Sequence, residues 1–130
     1  MGKKNNTNKN EMKRSKNLEL LYMAKQEVSV KDLETPLMDK LEEIHVWPEI
    51  GIMELNLPSG LIADVETLTE YMEDEEDLKF MAEREVKSVY AITVEEDALN
   101  ELVGYVNYWI QEYGGLLCSD SDDFTPIYIQ

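Results

Sequence analysis

Residues 93–115, TVEEDALNELVGYVNYWIQEYGG, constrain the fold more than any other stretch of this chain. Leu99, Leu102, Val103, Val106, Trp109, Ile110 and Tyr113 recur at three- and four-residue steps, which places them on one broad stripe of a helix. A helix so striped must lie on a sheet or a bundle, because packing of the apolar face supplies most of its stability. Thr93 with Glu96 three places on reads as a capping box, and Glu95, Glu96 and Asp97 stand where the helix dipole favours negative charge. The Gly114-Gly115 pair supplies a left-handed stop.

A chain of 130 residues is of the size of one ordinary domain, and a single cysteine, Cys118, agrees with a reducing compartment. No apolar run approaches the roughly 20 residues a bilayer crossing needs, and the basic start is not followed by a signal-peptide core. The expectation is a cytoplasmic protein without membrane partners. Six of the twelve bases and only one acid fall in residues 1–16, net +5, so the remainder carries about −21 against −16 for the whole chain. Such a surface repels nucleic acid and attracts basic partners, and it also keeps a protein dissolved.

Three segments follow from composition and period. Residues 1–16, rich in Asn and Lys with almost nothing to bury, read as a flexible basic tail. Residues 17–49 read as a helical arm. Leu18, Leu20, Leu21, Tyr22 and Met23 begin one helix, and Thr35-Pro36 opens a second with Leu37, Met38, Leu41 and Ile44 on its apolar side, ended by Trp47-Pro48. Residues 50–130 read as an acidic α+β domain. There, Met53, Leu55 and Leu57 alternate with polar residues as a strand does, and the turn Pro58-Ser59-Gly60 follows. Leu61, Ile62, Val65, Leu68 and Met72 then take helical spacing, and VKSVYAITV, residues 86–94, has the branched and aromatic content of a central strand.

The two strand-helix units match at an offset of 37: Leu55 with Ile92, Ile62 with Leu99, Val65 with Leu102, Met72 with Trp109. The pattern suggests a split β-α-β, ferredoxin-like sheet with two helices on one face. Residues 78–83 would form a strand, as would Leu117-Cys118 and residues 125–129, the last held to an edge by Pro126. A competing layout carries the first helix on through Glu75, Leu78 and Ala82 to Arg84.

The strongest feature without a structural reason is the run of eight acids and no base in residues 64–77. On a helix, Glu66, Glu70, Glu73 and Asp77 would line one side, with neighbours roughly 6 Å apart, close to twice the 3.4 Å rise of phosphates along one DNA strand. Further acids cluster at Glu95-Glu96-Asp97 and at Asp120, Asp122 and Asp123. Tyr105 and Tyr108 fall at the margin of the main helix stripe, where a ring can pack while its hydroxyl meets a partner. These six residues, Glu66, Glu70, Glu73, Asp77, Tyr105 and Tyr108, form the expected partner-binding set.

No catalytic signature accompanies them. Counted from Asp120 as an EF-hand loop, position six is Thr125 and position twelve lies past Gln130, so a turn is the better reading of that segment. One His and one Cys in distant segments do not make a zinc site, and a Cys118–His45 nucleophile pair has no local signature. Glycine-rich phosphate loops are absent. No cofactor or metal is expected. The reading is a non-enzymatic acidic binding protein, an inhibitor or neutralising partner that presents carboxylates to a basic, nucleic-acid-handling protein, as antirestriction, anti-CRISPR or immunity proteins do. The alternatives are a structural or assembly module, such as a homodimer, whose acidity serves solubility, and a small metal-dependent hydrolase.

Overall fold

A computed structural model describes residues 16–69 and 74–130. In chain order these form β1 (Asn17–Ala24), α1 (Val30–Glu34), β2 (Glu43–Trp47), β3 (Ile52–Asn56), β4 (Ile62–Leu68), α2 (Glu75–Glu83), β5 (Ser88–Glu95), α3 (Leu99–Tyr113), β6 (Leu116–Ser119) and β7 (Ile127–Ile129). Every strand pairing is antiparallel, in one sheet ordered β2-β3-β4-β5-β1-β6-β7. The α+β class therefore holds. The ferredoxin-like arrangement is not confirmed, because the sheet has seven strands and the helix of the first predicted unit is a strand, β4.

β1 replaces the predicted helical arm. Leu20, Leu21, Tyr22, Met23 and Ala24 are all buried, since the strand sits mid-sheet with both faces covered. Such a run has no alternation and carries no period by which a strand differs from a helix. The second arm helix also fails beyond its first residues. Thr35–Leu37 is a single 3-10 turn following α1, and Ile44 and Val46 turn inward from β2 while Glu43, His45 and Trp47 face out. The helix in this region, α1, instead starts at a capping box six residues before Thr35, with Asp32 N–H on Ser29 Oγ at 3.2 Å and Ser29 N–H on the Asp32 carboxylate at 2.9 Å.

The 37-residue correspondence is a coincidence of pattern. Its first unit has a strand, β4, where the second has α3: Ala63 and Val65 are buried while Ile62, Asp64 and Glu66 face solvent, a period of two. Residues 78–83 belong to α2, as the competing layout had it, although that helix begins only at Glu75.

Two cores flank the sheet. On one side α3 and α1 press Leu102, Val106, Trp109, Val30, Leu33 and Leu37 onto Leu20, Tyr22, Tyr90, Ile92, Met53, Leu55 and Val65. Trp109 is the centre of this layer. Its ring lies 5.4 Å from that of Tyr22, and its indole N–H donates to the Leu33 carbonyl at 2.8 Å. The Tyr22 hydroxyl donates to the carbonyls of Trp109 and Gly114, and burial pushes its pKa up. On the other side α2 and the loop before β7 bring Phe80, Met81 and Phe124 onto Leu21, Met23, Val89, Leu116 and Cys118.

The helix ends at the expected glycine pair, with Gly114 N–H on Ile110 C=O at 2.8 Å and positive φ at both glycines, but Gly114, with ψ of −171°, is extended there and not in the left-handed helical conformation expected. The expected Thr93 cap is not. Thr93 lies within β5, a 3-10 turn Glu96–Ala98 leads into α3, and no side chain caps that helix. β7 is an edge strand, as Pro126 implied.

Candidate functional site

α2 is nine residues long and covers only part of its side of the sheet. The outward positions of β2, β3 and β4, with the adjoining ends of β5 and β1, form a face whose chemistry is set by strand register. One row across it reads His45, Glu54, Asp64, Thr93 and Glu19, each directly opposite the next. Asp120 continues it, its N–H donating to Glu19 C=O at 3.0 Å. The next row reads Trp47, Ile52, Glu66, Ala91, Leu21 and Cys118. The face thus grades from apolar, under α2 and Phe124, to acidic.

Adjacent strands stand about 4.8 Å apart, so Glu54 and Asp64 are immediate neighbours, as are Glu19 and Asp120. Like charges directly opposite each other oppose sheet formation by a few tenths to about 1 kcal/mol per pair. Among the described residues the lysine–carboxylate pairs are Lys31–Glu34 and Lys40–Asp39, and His45 Nε2 lies 3.1 Å from the Glu43 carboxylate; none of these involves Glu19, Glu54, Asp64 or Glu66. Glu19 accepts a hydrogen bond from Thr93 Oγ1 at 3.0 Å. Partial burial and the nearby charges of Glu19 and Asp77 raise the pKa of Asp120, which shows that the acids at this end of the row feel one another.

Other acids have structural work. Asp74 caps α2 by accepting from Glu76 N–H at 2.9 Å, and Glu75, Glu76 and Asp77 occupy the first turn, where the dipole favours them. Glu96 and Asp97 open the turn into α3, and Glu101 accepts from Ser59 N–H at 3.0 Å. The Asp122–Asp123 segment is a turn between β6 and β7: Thr125 N–H and Oγ1–H both donate to Asp123, lowering its pKa. The sheet-face carboxylates Glu54, Asp64 and Glu66 have no such role.

The expected partner-binding set is therefore dispersed. Glu66 is exposed on β4, and Asp77 on α2 reaches the acidic end near Asp120. Tyr105 and Tyr108 lie on α3, half-buried on the opposite side of the sheet, with Lys40 Nζ 5.0 Å over the Tyr108 ring. Glu70 and Glu73 lie outside the described residues. The single helical row that would have joined Glu66 to Asp77 does not form, because Ile62–Leu68 is a strand. Sequence reasoning missed Glu19 and Glu54, and it placed Asp64 in the acid run without including it in the partner-binding set.

Cys118 and His45 do not form a pair. They sit on β6 and β2, separated by four intervening strands, and burial pushes the Cys118 thiol up to about 12. Among the described residues no group of three or more His, Cys, Asp or Glu is placed to hold a metal ion, and no helix is long and apolar enough to cross a membrane. The chain matches no protein-family model, no curated protein and no solved structure.

Proposed function

We propose that the protein acts by binding, as an acidic inhibitor or neutralising partner that presents the β2-β3-β4 face to a basic surface of a nucleic-acid-handling protein. The observation that carries this reading is the register of Glu54 against Asp64 and of Glu19 beside Asp120, on sheet positions where no lysine or arginine stands. A fold under selection for stability alone gains nothing from acids facing acids. A basic partner turns the same repulsion into attraction, speeds encounter by electrostatic steering, and leaves the contact sensitive to salt. Trp47, 43% exposed, and Ile50, 66% exposed, stand beside the acids and offer the apolar anchor that such interfaces use.

Capture from the native cell extract tests this. Immobilised wild type is compared with Glu19→Gln/Glu54→Gln/Asp64→Asn and with a control, Asp97→Asn/Glu101→Gln/Glu112→Gln, that removes the same charge from the α3 side. Wild type and control are expected to retain basic nucleic-acid-binding proteins that the sheet-face variant loses. Equal capture by all three proteins would rule out the sheet face as the contact.

Among the described residues β2 also leaves one edge unpaired, the geometry through which a second copy could extend the sheet. Homo-oligomers of that kind would keep their size in high salt, whereas a charge-held complex would dissociate.

A further inference from the structure

β2 is an edge strand, and the bonds inside the sheet fix which of its backbone groups face outward. Leu57 N–H donates to Leu61 C=O at 2.9 Å and Thr67 N–H to Gly51 C=O at 2.8 Å, so by alternation Met53 and Leu55 are the residues of β3 bonded to β4. The backbone groups of Ile52, Glu54 and Asn56 therefore turn to β2, where they meet Trp47, His45 and Glu43. That leaves the N–H and C=O of Ile44 and Val46 on the open side, with no strand against them among the described residues. Sheets commonly blunt such an edge with lysine, proline or a bulge, and Glu43–Trp47 contains none of the three.

We infer that β2 takes up an extended segment of the basic partner as a further strand, antiparallel like the others, in which apolar residues alternate with lysine or arginine. Residues opposite Ile44 and Val46 share their face, where the rows Ile44–Leu55–Ala63 and Val46–Met53–Val65 run along the main core. Ile44 and Val46 are only half-buried at that edge, so apolar side chains there complete their cover. The alternate residues of the added strand stand on the outer face, opposite Glu43 and Trp47. A base there gains an opposite charge from Glu43 and a ring face from Trp47. It also lies two strand spacings, about 9.6 Å, from the backbone of Glu54. A second copy is the poorer occupant, since it brings −16 to −16 and a second Glu43 to the same edge.

This inference rests on the basic partner proposed above and adds how that partner is held: backbone bonds supply affinity, and alternate side chains supply the choice of segment. A contact made by charge alone needs no such bonds, so the two can fail separately.

The probe is a heptapeptide with blocked ends that alternates lysine and valine, added to the full chain at about 50 mM salt and followed by amide proton–nitrogen correlation spectra. Two further peptides carry the same charge, one N-methylated on its valines and the other on its lysines. In the antiparallel register the valine N–H groups face β2 and the lysine N–H groups face away. The parent and the lysine-methylated peptide are expected to bind alike and to move the signals of Ile44, His45 and Val46. The valine-methylated peptide is expected to bind about tenfold more weakly or worse. Equal binding by the two methylated peptides would overturn strand addition and leave a charged contact, and with it the proposed function, standing. No binding by any peptide would also overturn it, with capture from the cell extract still deciding the wider reading. A wild type that sediments as a dimer and returns to a monomer on Val46→Pro, which removes an outward N–H and spares the bonds to β3, would assign the edge to a second copy and overturn the inference.

Discussion

Replacing Trp109 with alanine is expected to cost about 4–6 kcal/mol, from the lost ring and the cavity it leaves together with the unpaired Leu33 carbonyl. That approaches the whole stability of an ordinary domain, about 5–15 kcal/mol, so much of the variant should be unfolded at room temperature. The size of the effect follows from position. Trp109 is fully buried, joins α3 to β1 through Tyr22, and ties down the end of α1 through its indole N–H. Trp109→Phe keeps most of the ring and loses the hydrogen bond, so about 1–3 kcal/mol is expected. Trp47→Ala, on the exposed end of β2, should stay within about 0.5 kcal/mol of wild type. Urea unfolding followed by circular dichroism ranks the three, and a Trp109→Ala midpoint equal to that of Trp47→Ala would contradict the placement of α3.

Gly115→Ala is the second substitution expected to unfold the protein. At Gly115 φ is +98°, and an added Cβ would lie 1.7 Å from the Met23 carbonyl oxygen and 2.8 Å from its carbon. Those are backbone atoms of the central strand, next to the Met23–Leu116 pair that starts the β1–β6 ladder. Relief requires β1 and β6 to separate where α3 hands the chain back to the sheet. Gly60 supplies the control, with φ of +93° and nothing within 4 Å of an added Cβ. Gly60→Ala should cost only the backbone strain, about 1–2 kcal/mol, whereas Gly115→Ala adds the steric clash and should exceed about 3 kcal/mol. Equal thermal midpoints for the two variants would show that the α3–β6 connection is not packed this closely.

How much of this could be read from the chain depended on where each segment lies in the sheet. α3 and β3 were legible by a clear period, β5 by its branched and aromatic content, and the last strand by the breaker Pro126. β1 was not, since Leu20 to Ala24 are buried on both faces and a continuous apolar run has no period to report. β4 misled in another way. Ile62, Val65 and Leu68 fall three apart and imitate a helix stripe, yet Val65 turns inward while Ile62 is exposed and Leu68 packs toward the second core.

The acidic site was legible only as excess charge. The run in residues 64–77 resolved into a strand face, residues outside the described set, and the cap and first turn of α2. Glu54 opposite Asp64 follows locally, once Pro58-Ser59-Gly60 is taken as the turn between two strands. Glu19 could not be found in this way. Its place beside Thr93 comes from pairing 74 residues apart in sequence, which no local pattern encodes.

Equilibrium unfolding of Glu19→Gln/Glu54→Gln/Asp64→Asn beside wild type, at low and high salt, tests most directly whether these carboxylates stand against the fold's own interest. The amides keep the acceptor for Thr93 and remove only charge. The variant is expected to be more stable by about 1 kcal/mol at low salt, with the gap closing toward about 0.5 M salt. A variant no more stable than wild type at low salt would mean that the acids cost the sheet nothing, and the ground for assigning them to a partner would be lost.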